Sequence, residues 1–137
     1  MTRYLLDTNH VSAFWTQDAI LRERINRALD AQYYLCTPSV AELWHMVFNS
    51  SRVAYNQARL EVLLQQFPIL DFDASAAIAY GRLWTELKQR GRPIPVIDAQ
   101  IAAIAIVHNM TVLTSDVRHF SQVPAVAFEN WLEPTSL

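Results

Sequence analysis

Tyr4-Leu5-Leu6-Asp7-Thr8-Asn9 decides the fold. Three apolar residues run without a break, and three turn- or cap-forming residues follow at once. A strand buried on both faces reads as a short continuous apolar run, whereas a half-solvated strand alternates. The stretch therefore predicts a central strand that feeds a helix. The same pattern recurs along the chain, with strands expected at residues 33–36, 69–72, 111–114 and 125–128, the last near an edge. Helical periodicity fills the gaps. Helices are expected over 10–15, 18–31, from Thr37-Pro38-Ser39 onward, 53–66, 73–90 and 98–109. Their inward stripes are Leu21, Ile25, Ala28 and Leu29 in the second, Leu60, Leu63, Leu64 and Phe67 in the fourth, and Ala76, Tyr80, Leu83, Trp84 and Leu87 in the fifth. The stretch from Ile101 to Val107 is apolar all round, so the last of these helices should be buried. Strands alternating with helices predict an α/β fold on a mostly parallel sheet, as one domain over residues 1–137. Such sheets place their sites at the carboxyl ends of the strands.

Composition narrows the chemistry. The chain has 137 residues, 52% of them apolar and 18% charged, which describes a globular domain. Its only glycines, Gly81 and Gly91, are too far apart for a Gly-rich phosphate loop or a G-x-S-x-G elbow. Cys36 is the single cysteine, so neither an intramolecular disulfide nor a cysteine zinc cage is available. The formal charge is −2, and that field alone does not announce a nucleic-acid binder. Yet Lys88 is the only lysine among 11 cations, and the rest are arginine, the residue suited to bidentate phosphate contact. No apolar run approaches the roughly 20 residues of a membrane helix. The first residues are too short an apolar run for a secretory signal, so the expected compartment is the cytoplasm.

Four acids then stand out by position. Asp7 follows the first strand, and Asp116 follows the fourth. Asp98 opens the apolar helix. Glu42 lies early in the third helix, between Ala41 and Leu43-Trp44. Each has a plain structural reading: Asp98 as a helix cap, Asp116 as a turn former, Ser39-x-x-Glu42 as a capping box. Pro38 favours the first helical position, which would make Thr37 the cap and leave Glu42 without a capping task. Together, on one rim of one sheet, four carboxylates repel and raise one another's pKa unless a cation sits among them. Hard oxygen donors select Mg²⁺ or Mn²⁺, and such ions activate water in phosphodiester hydrolysis. Setting these four charges aside moves the formal charge from −2 to +2, a remainder that a nucleic-acid backbone tolerates.

Taken in order, Leu6-Asp7-Thr8-Asn9 with Ser12, Ala41-Glu42-Leu43, Asp98-Ala99-Gln100-Ile101-Ala102-Ala103, Leu113-Thr114-Ser115-Asp116, Phe120 and Glu129-Asn130-Trp131 resemble the PIN-domain family. Specifically, they resemble the VapC toxins of type II toxin–antitoxin systems. The resemblance spans nearly the whole chain. It implies a three-layer α/β/α sandwich and a Mg²⁺- or Mn²⁺-dependent endoribonuclease. Asp7, Glu42, Asp98 and Asp116 would form its acidic quartet, with Asp7, Asp98 and Asp116 holding metal. Asn9 and Thr114 would stand beside the site, contacting substrate or orienting a water. It also implies a VapB-type antitoxin that blocks the site, and a homodimer. The chain departs from the family pattern at Met46 and Pro95, where glycine is common. It departs again at Ile104, where histidine is frequent, and at His119, where many members carry another acid.

Other residues remain open at this level. His10, His45, His108 and His119 lack an H-x-x-x-H spacing and read as surface or packing residues, although His10 is close enough to Asp7 to touch a phosphate. Trp84 reads as core. Phe14, Trp15, Trp44 and Phe48 divide between core and groove. Arg118, two residues after Asp116, is the first candidate for a phosphate contact. Two other classes compete with the nuclease. An inactive PIN scaffold that binds a protein would be expected to have lost one of the acids. A phosphoacceptor receiver domain needs an acid pair after the first strand and a lysine near the last, and Asp7 stands alone there.

Overall fold

A computed structural model describes residues 1–134. Its elements run β1 (Thr2–Leu6), α1 (Thr8–Trp15), α2 (Ala19–Arg27), β2 (Ala31–Cys36), α3 (Thr37–Phe48), α4 (Val53–Leu64), β3 (Ile69–Leu70), α5 (Ala74–Gln89), α6 (Val96–His108), β4 (Thr111–Leu113), α7 (Val117–Phe120) and β5 (Phe128–Glu129). The five strands form one sheet in the order β3-β2-β1-β4-β5, and every pairing is parallel. The opening stretch lies at its centre: Tyr4 is in register with Tyr33 on one side and with Thr111 on the other.

Alternation along β1 sorts the core into two faces. Leu5 points into a cluster with Leu83 and Leu87 of α5, Ile101, Ala102 and Ile104 of α6, and Phe120 of α7. Tyr4 and Leu6 point the other way, into Val11, Leu21, Leu43, Val47, Leu60 and Leu63 from α1 to α4. This is the three-layer α/β/α arrangement. Trp131 closes the second face by packing on Tyr4 and Tyr33, with ring centroids 4.8 and 6.0 Å away.

The structure corrects several boundaries. Helix α2 ends at Arg27, because Ala28 leaves helical geometry (φ −89°, ψ 72°), and Leu29 beyond it is exposed rather than on the inward stripe. Trp84 is 53% exposed and packs against Tyr80 under Lys88. Eight residues after Ala76, it sits about 80° round the helix, on the flank of the buried stripe. Residue Cys36, not Thr37, occupies the cap position of α3, and the Thr37 hydroxyl instead accepts the Phe72 backbone N–H. The Pro93/Pro95 segment conceals the start of α6, which begins at Val96 with Pro95 as its cap. Asp98 is therefore the third helical residue and not the cap. The third strand is only two residues long, and the fifth is shifted toward Glu129.

Candidate active site

Asp7 and Asp116 follow β1 and β4, Asp98 lies in the first turn of α6 and Glu42 in the second turn of α3, and local geometry leaves three of the four without a capping task. Asp116 takes the cap position of α7, yet its side chain makes no capping hydrogen bond. Asp98, in the first turn of α6, also caps nothing. No capping box forms at Glu42, because the Ser39 hydroxyl sits against Cys36 Sγ at 3.5 Å. Asp7 alone is a cap, accepting from Thr8 N–H at 2.7 Å.

Hydrogen bonds link Asp7, Asp116 and Glu42 to one another through Thr8, Asn9 and Thr114, and His119 stands between Asp98 and Asp116. Thr114 Oγ1 donates to Asp7 Oδ2 at 2.7 Å, and Asn9 Nδ2 donates to both Asp7 Oδ2 and Asp116 Oδ2 at 3.3 and 3.2 Å. Thr8 Oγ1 donates to Glu42 Oε1 at 2.5 Å. His119 Nδ1 donates to Asp98 Oδ2 at 2.5 Å. Asp7 is 2% exposed and Asp98 8%. Burial drives the Asp7 carboxyl up to about 7, hydrogen bonds from Thr114 and Thr8 oppose the rise, and the Asp98 and Asp116 charges add to it. Asp98 is also raised, chiefly by burial, with the His119 hydrogen bond pulling against it and the Asp116 charge pushing with it. The Asp98 carboxyl feels Glu42 as well, so the four carboxylates share one field.

Among the described residues, the acidic and imidazole groups close enough to share one ion are Asp98, Asp116 and His119, with one ligand atom each within 4.8 Å of the others. Two hard carboxylate oxygens and an imidazole fit a small divalent cation. Asp7 lies outside that trio but fits beside it: burial makes its ionised form costly, its donors are neutral, and no ion pair offsets the charge among the described residues, so a nearby cation would. Histidine spacing alone does not mark His119, since no second histidine stands one turn away from it. The signal lay in Asp116-x-x-His119, an i, i+3 pair that the one-turn helix α7 puts on one face. His119 also occupies the position where the family often has another acid, and here it bonds Asp98.

His10 is a packing residue and not a phosphate contact. It is fully buried and takes no part in the open site. Its Nε2 accepts the Trp131 backbone N–H at 3.1 Å, so its proton lies on Nδ1, which donates to Asn9 Oδ1 at 2.7 Å. Burial pushes this imidazole down to about 4 and keeps it neutral. Asn9 Oδ1 also accepts Ser115 N–H at 3.1 Å. With its oxygen held on that side, the Asn9 amide must turn its NH₂ toward Asp7 and Asp116. Thr114, fully buried, serves both acids: it donates to Asp7 and accepts Asp116 N–H at 2.9 Å. Arg118 is exposed and forms no ion pair with any of the four acids among the described residues.

An acidic site on the carboxyl edge of a parallel α/β/α sandwich defines a class, and the comparisons agree with it. The family model for the PIN domain matches residues 4–126, and the chain belongs to the PIN-domain family. Its relatives are VapC proteins. It is 32% identical to Ribonuclease VapC2 of Rickettsia felis, over 93% of this chain and 97% of that one. To the tRNA(fMet)-specific endonuclease VapC of Shigella flexneri it is 31% identical, over 96% and 99%. Among solved structures, VapBC2 from Rickettsia felis bound to a promoter DNA fragment superposes with a TM-score of 0.85 at 31% identity, covering 95% of this chain and 99% of that one.

Proposed function

We propose that this protein is a metal-dependent endoribonuclease and the toxin of a VapBC-type toxin–antitoxin pair. The observation that carries the reading is the convergence of Asp7, Asp116 and Glu42, linked through neutral donors, with Asp98, whose ligand atom lies within 4.8 Å of those of Asp116 and His119. Asp98 and Asp116 would hold Mg²⁺ or Mn²⁺, with Asp7 beside them and His119 as ligand or as the brace of Asp98. A bound divalent ion supplies Lewis-acid activation of water and neutralises charge on the phosphodiester. Glu42 would serve as a further carboxylate ligand or as the base that accepts the proton of the attacking water. Asn9 and Thr114 hold Asp7 and Asp116 at fixed orientations. In-line attack at phosphorus leaves a 5′-phosphate and a 3′-hydroxyl. The names of the relatives make RNA the substrate class and tRNA(fMet) the first RNA to try. A VapB-type antitoxin is the expected partner, and a homodimer the expected assembly.

The test is cleavage of total RNA and of purified tRNA(fMet) by partner-free protein, with Mg²⁺, Mn²⁺ or chelator. Asp98→Asn and Asp116→Asn serve as controls, with folding verified by circular dichroism. Discrete fragments that require metal and vanish in both variants are expected. Metal-independent cleavage, or cleavage surviving both substitutions, would sink the reading. Absence of both cleavage and metal binding would leave an inactive scaffold.

A further inference from the structure

Beside the carboxylate group lies a cleft of about 770 Å³ with the opposite charge. The end of α5 supplies Arg90, the following turn supplies Arg92, and α7 supplies Arg118 and His119. No acidic side chain lines it among the described residues. None of the three arginines forms an ion pair among the described residues. Arg90 is oriented, since its Nη2 donates to the Gln122 carbonyl at 3.1 Å. Gly91, at φ +66°, turns the chain so that Arg90 and Arg92 both reach the cleft. His119 belongs to both places: it lines the cleft and bonds Asp98. A basic cleft and the acidic centre thus share His119, on a chain whose net charge is −2.

We propose that this cleft seats the phosphate backbone of single-stranded RNA flanking the bond to be cut, with Arg90, Arg92 and Arg118 as phosphate contacts and His119 at the junction with the catalytic acids. The proposal rests on the ribonuclease reading and gives its substrate a path. Four clustered carboxylates repel a polyanion, so productive approach needs fixed positive charge alongside them. Arginine's planar fork matches phosphate oxygens. The arginines come from two elements that meet only in the folded chain, and the cleft is far larger than a single ion requires.

The probe is a fluorescein-labelled oligouridylate of about 12 nucleotides, a length that single-strand grooves accommodate. Its affinity is read by anisotropy over a range of salt, in chelator so that cleavage cannot intervene. Four proteins are compared: the wild type, Arg90→Gln/Arg92→Gln/Arg118→Gln, the same three positions changed to Lys, and Arg22→Gln/Arg24→Gln/Arg27→Gln. The last removes equal charge from α2, which packs on the opposite face of the sheet. Circular dichroism melts verify folding of each. Loss of three phosphate contacts lowers the slope of log affinity against log salt by about 2 and weakens low-salt binding by about tenfold or more. The Lys variant should keep the slope, and the α2 variant should match the wild type.

Equal slopes and affinities in the wild type and the cleft Gln variant would overturn the proposal, as would a wild type that binds no RNA. So would an oligoglutamate of equal length competing as well as RNA, which would make the cleft a seat for an acidic protein segment. The two readings separate cleanly. A wild type that cleaves RNA with metal but ignores the cleft arginines refutes the cleft and leaves the nuclease. Arginine-dependent binding with no cleavage under any metal refutes the nuclease and leaves the cleft.

Discussion

Thr114 uses its hydroxyl twice, donating to Asp7 and accepting the Asp116 backbone N–H. Thr114→Val keeps the shape and removes both bonds inside a fully buried site. Leaving a buried donor without a partner costs about 1–3 kcal/mol. A lower urea midpoint at unchanged m-value should report it. Asp7 and His10 predict opposite pH dependences in the metal-free protein. The folded state holds the Asp7 proton up to about pH 7, against an ordinary 3.8, so that contribution is full at acid pH and is lost as pH rises through this window. Its upper bound is about 4 kcal/mol. His10 resists a proton that the unfolded chain takes near 6.5, so its contribution grows as pH rises from about 4 to 6.5. Melts of the wild type against Asp7→Asn, and separately against His10→Gln, should give difference curves of opposite slope. A slope of the wrong sign in either comparison would contradict that residue's assignment.

At the scale of elements, Gly91 offers a clean test. It follows α5 with φ +66°, and a Cβ there meets nothing within 4 Å, so Gly91→Ala changes backbone preference alone. A cost of about 1 kcal/mol is expected by thermal or urea denaturation. The elements also show what could be read in advance. Each strand is a short apolar run, and that pattern identified five strands and the sheet's parallel character. Asp7, Asp98 and Asp116 could be found because each stands where a strand ends or a helix begins, and Glu42 because it has no capping task inside an otherwise apolar helix stretch. Three features escaped for local reasons. Pro93 and Pro95 make the approach to α6 look like loop, although Pro95's own geometry suits the cap. Helix α7 is four residues long, too short for periodicity to register. His119 has meaning only once that single turn brings it round to Asp98 and Asp116. His10 could not be placed at all from the N-terminal motif, because its partner is Trp131 at the other end of the chain.

Across the whole molecule, the crowded acids make the free protein less stable than its metal-bound form. Divalent cation should therefore raise the melting temperature at neutral pH, with free energy reaching about 2.7 kcal/mol at a hundred times the dissociation constant. The rise should disappear in Asp116→Asn, and a variant that retained it would place the ion elsewhere. No helix is long and apolar enough to cross a membrane among the described residues. The two faces of the sheet divide the work. One carries α5, α6 and α7, from which Asp98, Asp116, His119 and the basic cleft come. The other carries α1 to α4, with Glu42 on α3 and the aromatic packing that Trp131 closes.

The pairing of β1 with β4 has a consequence in time. Strand β1 emerges first from the ribosome, but its neighbour β4 begins at Thr111, and Asp7 meets Thr114 and, through Asn9, Asp116 only when that pairing forms. At typical synthesis rates of about 5–20 residues per second, roughly 5–20 s separate the two ends of the site. A chain broken off before β4 carries Asp7, Glu42 and Asp98 but lacks Thr114, Asp116 and His119. Chemistry at this centre can therefore begin only once β4 and α7 have been made and paired with the rest of the chain.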